Sequence, residues 1–204
     1  LHTRNPPVIH GDIHPDNVLL DKEGNPQLCD FGMGRIVHEV TRTFTLRKDS
    51  NNQGGKLRFM APELTGETSP ENFRTSVASD IFSLSMLLLN LWQGQPPFRS
   101  MLEWTVAEAV VKGKRPPLPS LTLHFPHQDG QAAFWKLLNI MWAQQPALRP
   151  PSREVVQRME EILGPPSSGT ITIAIDIDTT HCVVAAAYVS SGNSKLKYWS
   201  QLIS

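Results

Sequence analysis

Hydrophobic and polar positions along the chain fall into blocks of different period, and the changes of period mark the elements. Val18-Leu19-Leu20 and Gln27-Leu28-Cys29 flank a polar turn at Asp21-Lys22-Glu23-Gly24-Asn25, which predicts two paired strands. Residues 34 to 56 show no hydrophobic period. Their Thr41, Thr43, Thr45, Ser50, Asn51, Asn52, Gly54 and Gly55 predict a mobile loop. The run from Ser79 to Trp92 is apolar on nearly all faces and stops at Gly94. A helix without a polar face has to be buried in protein.

Further on the period becomes that of surface helices. Ser100-x-x-Glu103 predicts a capping box opening a helix with Leu102, Val106, Ala109 and Val110 on one stripe. A proline-rich connection follows from Gly113 to Gly130. Phe134, Leu137, Leu138 and Met141 then stand at i, i+3, i+4 and i+7, with Trp142 beside them. Ser152 is placed to cap a last helix whose Val155, Val156, Met159, Ile162 and Leu163 face inward, and Gly164-Pro165-Pro166 ends it. Beyond the Pro/Gly/Ser linker at 164–169 the texture changes. Thr170 to Asp176 alternates with period two, Asp178-Thr179-Thr180 turns, and strands follow over 182–189 and 195–202. The expected fold class is mainly α (α+β): a helical bundle with a short β-hairpin over 1–163, then a small β-hairpin stub over 170–204.

Bulk properties narrow the partners. A chain of 204 residues holds one domain, or one plus a fragment, and its opening Leu1 points to a fragment or processed product. Nineteen basic residues balance nineteen acidic ones, so no footprint for nucleic acid is expected. Cys29 and Cys182 make no disulfide framework and favour a reducing, cytoplasmic compartment. The start lacks a signal-peptide pattern and no uncharged apolar run is long enough for a bilayer, so no membrane partner is expected.

Candidate chemistry concentrates between His10 and Gly32. Asp12, Asn17 and Asp30 lie in two short loops joined by the predicted hairpin. Closing the hairpin brings Asn17 and Asp30, at its outer ends, close together. Two oxygen-bearing side chains there suit magnesium, a hard cation that keeps phosphate oxygens for its remaining positions. Asp12, just upstream, is placed to orient a hydroxyl nucleophile. His10, His14 and Cys29 offer no fourth ligand at a plausible spacing for a zinc site.

The stretch His10-Gly11-Asp12-Ile13-His14-Pro15-Asp16-Asn17 with Asp30-Phe31-Gly32 resembles the catalytic loop and metal-binding loop of protein kinases. The resemblance implies the large, C-terminal lobe of that family, with ATP and Mg2+ as cofactors and a protein substrate or partner. Asp12 then takes or orients the substrate hydroxyl proton, and Asn17 and Asp30 hold magnesium. Leu19 matches the position beneath adenine; ordinary strand core is its alternative reading. His10 and Phe31 belong to a packing stack. Two positions depart from the pattern: Gly11 stands where an arginine is usual, and His14 replaces a lysine near the transferring phosphoryl group.

Similar matches run downstream. Residues 34 to 56 correspond to an activation segment closing at Ala61-Pro62-Glu63, with Lys56 where serine/threonine kinases usually carry a threonine that bonds the catalytic aspartate. Asp80 is expected to cap the catalytic loop's amides. Arg149 in Gln145-Pro146-Ala147-Leu148-Arg149-Pro150 is expected to pair with Glu63. No G-x-G-x-x-G and no V-A-I-K-like strand occur in the sequence, so the ATP clamp of the family is missing and little independent catalysis is expected. Residues 170–204 resemble the first phosphate-binding hairpin of the actin and heat-shock chaperone ATPases, with Asp178 where that pattern has glycine. Two other readings stay open: a non-catalytic kinase-like scaffold, and a truncated product of a kinase–chaperone-ATPase fusion.

Overall fold

A computed structural model describes residues 1–22, 26–30, 56–65, 74–120, 123, 125 and 128–163, and the backbone of 171–178 and 181–188. Strand β1 (Val18–Leu20) pairs antiparallel with β2 (Pro26–Leu28), with Val18 opposite Leu28 and Leu20 opposite Pro26. The Cys29 amide extends the ladder by donating to Asn17 O at 3.0 Å. Ahead of the hairpin, residues 1–8 form hydrogen-bonded turns on Leu1 O.

Helix α1 (Val77–Gln93) is the centre of the bundle, and Ile81, Phe82, Met86, Leu89 and Trp92 are all buried. It starts earlier than its hydrophobic run because Ser76 caps it. The Ser76 hydroxyl accepts from Ser79 N at 3.0 Å, and the Ser79 hydroxyl accepts from Ser76 N at 2.8 Å. Gly94 ends it at φ 64°, a left-handed conformation that glycine adopts at no steric cost.

Three further helices complete the bundle: α2 (Glu103–Val111), α3 (Gly130–Met141), which packs on α1, and α4 (Ser152–Leu163), which packs on α3. Val106 and Val110 from α2, Phe134, Leu137, Leu138 and Met141 from α3, and Val155 and Ile162 from α4 complete one core. Burying each such side chain is worth about 1.5–3 kcal/mol. Trp92, Phe134, Trp135 and Trp142 form an aromatic chain with ring centroids 5.3–5.9 Å apart. Gly130 is required where α3 starts, since a Cβ there would lie 2.3 Å from Phe125 Cβ.

Several expectations need correction. The Ser100–Glu103 capping box does not form; Leu102 is the N-cap without a side-chain bond. Glu103 is instead drawn in beside Arg58, and burial pushes its carboxyl above the ordinary value despite that charge. Leu102, read as part of the buried stripe, is 60% exposed, because the cap position points off the packed face. Ser152 is not a cap but the first residue of α4; Pro151 O accepts from Glu154 and Val155. Val156 is 55% exposed, since the apolar stripe of α4 is wider than the surface it covers.

Beyond 163, strands β3 (Ile171–Asp178) and β4 (His181–Tyr188) form an antiparallel pair, with Asp178 opposite His181. The expected linker at 164–169 and third strand at 195–202 lie outside the described residues, as does most of the loop at 34–56. Among the described residues no helix is long and apolar enough to cross a membrane.

Candidate active site

The loop from His10 to Asn17 is held from below by a single carboxylate. Asp80, in the first turn of α1, is buried and accepts three hydrogen bonds: His10 N to Oδ2 at 2.8 Å, Gly11 N to Oδ1 at 2.8 Å, and His2 Nε2 on Oδ2 at 2.9 Å. A buried carboxylate needs such donors to offset its lost hydration. The loop bends sharply here, with Gly11 at φ 79°. His10 is fully buried, and its Nε2 contacts Cys29 O at 2.9 Å. A carbonyl can only accept, so Nε2 carries the proton, and Nδ1 is left to accept the Asp12 amide at 3.3 Å. His10 therefore ties the first loop to the residue preceding Asp30.

Three side chains converge on Asp12. Asn17 Nδ2 donates to Asp12 O at 2.8 Å and reaches Oδ2 at 3.4 Å. Lys56 Nζ donates to Oδ2 at 3.1 Å. His14 Nε2 stands 3.4 Å from the same oxygen, and its Nδ1 is 3.5 Å from Asp16 Oδ2. His14 is buried, and its Nε2 has no well-aligned hydrogen-bond partner. Burial raises the Asp12 carboxyl, but the His14 ring and the Lys56 ammonium outweigh it and hold it below the usual carboxylate value.

Asn17 is buried at the end of a 3-10 turn opened by Pro15, and its amide is committed to Asp12. Its Oδ1 accepts no hydrogen bond among the described residues, which suits a hard cation. Asp30 follows directly on Cys29, whose amide is bonded to Asn17 O, so the ladder brings the two loops together. Asp30 is exposed and sits at φ 58°, a left-handed conformation that aspartate tolerates better than most residues. No trio of His, Cys, Asp or Glu clusters at metal-binding distance among the described residues. Any ion at Asn17 and Asp30 would draw its remaining ligands from phosphate and water. Leu19 is 56% exposed on β1, so its reading as strand core is overturned. Phe31 lies outside the described residues.

Farther from Asp12, Arg149 and Glu63 meet in a two-pronged pair, Nη1–Oε1 at 2.6 Å and Nη2–Oε2 at 2.7 Å. Arg149 also donates to Ala143 O and Ala78 O, both at 2.9 Å, so the pair ties the 3-10 turn Pro62–Leu64 to the foot of α1. Arg58 donates to the carbonyls of Pro97, Phe98 and Met101 at 2.6–2.9 Å. Three contacts escaped the sequence reading. His2 on Asp80 and Arg58 on its carbonyls leave no local pattern. The contact of Lys56 with Asp12 had a signal in its position seven residues before Glu63.

Comparison with known proteins agrees with this arrangement. Serine/threonine-protein kinase 12 of Arabidopsis thaliana is 29% identical over 159 residues, 77% of this chain and 31% of that protein. The human receptor-interacting serine/threonine-protein kinase 3 is 31% identical over 163 residues, 79% of this chain and 30% of that protein. Receptor-interacting serine/threonine-protein kinase 2 of Bos taurus is 28% identical over 166 residues, covering 80% and 30%. The chain spans about a third or less of the length of the curated relatives it matches. A family model described as protein kinase domain matches residues 1–159, and with that match the chain belongs to the protein kinase domain family.

Proposed function

We propose that residues 1–163 are the catalytic-loop lobe of a cytoplasmic protein kinase that passes the γ-phosphoryl group of ATP to a protein serine or threonine hydroxyl. The observation that carries this reading is the Asp12 carboxylate, held in place by Asn17 and Lys56 on a loop gripped by Asp80. In the reaction the acceptor oxygen bonds to the γ-phosphorus as the bond from that phosphorus to the β–γ bridging oxygen breaks, releasing ADP. Asp12 orients the hydroxyl and takes its proton. Magnesium, when bound, neutralises charge on the phosphates, and Asn17 Oδ1 and the Asp30 carboxylate are the groups that would hold it. Exposed Leu19 is available to lie against the adenine ring. The kinase names of the relatives support serine/threonine acceptors.

The sequence holds no Gly-rich phosphate loop and no V-A-I-K-like strand, so we expect the chain alone to bind ATP weakly and transfer little of it. The hairpin of β3 and β4 is taken as a segment separate from the lobe, without a nucleotide site. Calorimetric titration with ATP, with and without magnesium, tests the reading. Saturable binding that requires magnesium and is lost in Asp30→Asn is expected. Absent binding, or binding indifferent to magnesium, would instead favour a non-catalytic scaffold. That second reading draws on Trp104 and Leu102, 70% and 60% exposed side by side at the start of α2.

A further inference from the structure

We infer that Lys56 is a binding residue for the terminal, transferring phosphate of the nucleotide, supplying beside Asp12 the cation that the catalytic loop itself does not carry. The inference rests on the phosphoryl-transfer reading above.

A carboxylate that receives a hydroxyl proton sits within a few ångströms of a phosphate bearing multiple negative charges. Without a cation between them the two repel, and the ground state and transition state both suffer. Among the described side chains facing Asp12, Asn17 is neutral, and His14 is buried and carries a full charge only when protonated. Among the described residues Lys56 is the one permanent cation there, with Nζ 3.1 Å from Oδ2. An ammonium has three donor protons. Asp12 uses one, and the other two find no acceptor among the described residues. The side chain is 37% exposed, enough to reach a ligand while anchored at its tip. The His14 Nε2 edge faces the same oxygen, buried and without a well-aligned partner, as expected of a site waiting for an anionic or hydroxyl ligand. Lys56 also opens the 3-10 turn Lys56–Phe59, whose Arg58 is pinned to three carbonyls, so the ammonium hangs from an anchored turn.

Affinities of Mg–ATP and Mg–ADP, followed by phosphorus NMR titration of the full chain, decide the matter. The chain should prefer ATP. Lys56→Met should weaken ATP roughly tenfold, the scale of one lost charge-assisted bond, and leave ADP unchanged, which also reports an intact fold. Lys56→Arg should keep the preference. If Lys56 acts only by neutralising Asp12, the double variant Asp12→Asn/Lys56→Met regains wild-type ATP affinity, and the direct contact is overturned; it is expected to stay weak. A Lys56→Met chain that still prefers ATP overturns the inference and spares the nucleotide reading. A wild-type chain that binds neither nucleotide overturns both.

Discussion

Asp80 Oδ1 accepts the Gly11 amide at 2.8 Å across 69 positions of sequence, so the central helix directly sets the bend of the loop that bears Asp12. Truncating Asp80 to alanine strands the buried His10 amide, at about 1–3 kcal/mol, and the half-buried Gly11 amide, at less. Urea denaturation should show that loss, and amide exchange at positions 10 and 11 should quicken. Unchanged exchange at those two amides would mean the loop is held by something else.

Gly11 itself is under a backbone constraint. At φ 79° a Cβ crowds the neighbouring carbonyl, so Gly11→Ala should cost about 1–2 kcal/mol in the same assay. The usual family arginine at this position would meet the same penalty. A neutral alanine variant would show that the loop relaxes without loss.

Arg149 and Glu63 carry the largest single electrostatic stake. The guanidinium is fully buried, and both carboxylate oxygens of Glu63 are bonded to it. Glu63→Ala leaves the buried guanidinium unpaired and should cost about 3–5 kcal/mol, whereas Arg149→Ala leaves a partly exposed carboxylate and should cost less through that charge. Arg149→Lys should recover only part, because an ammonium cannot make the planar double contact. Thermal denaturation would rank the three, and a lysine variant as stable as wild type contradicts the geometry.

The pH dependence has a definite sign. Asp12 titrates below its ordinary value of 3.8 in the folded chain. A depressed carboxyl stabilises the fold in full above the unfolded value and loses that contribution as pH falls through the folded one. The stabilisation from Asp12 should thus be complete above about pH 4 and fade below it. Asp12→Asn should flatten the acid limb of stability against pH, read from urea midpoints. An acid limb identical in the two chains would show that Asp12 gains nothing from Lys56 and His14.

Much of the lobe was legible in the sequence because local physics dictates it. A run that is apolar all round can only be a buried helix, and Phe134, Leu137, Leu138 and Met141 at helical spacing can only face one way; all of them are buried. The hairpin followed from Val18-Leu19-Leu20, from Leu28-Cys29 and from the polar turn between them. Cap chemistry was less legible. Ser76 and Ser79 bond each other reciprocally without the glutamate that usually signals such a cap, while Ser100 and Glu103 carry the signal and do not cap.

By itself the amino-acid order determined which segments are helical, where the hairpin closes and which acidic and amide groups cluster near its ends, since these depend on neighbours a few residues apart. Only the tertiary structure decided that Lys56 rests on Asp12, that His2 joins His10 and Gly11 on Asp80, and that Leu19, Leu102 and Val156 face outward. Periodicity tells which face of an element is apolar; what covers that face, and which distant charge reaches a carboxylate, depends on packing between elements far apart in the chain.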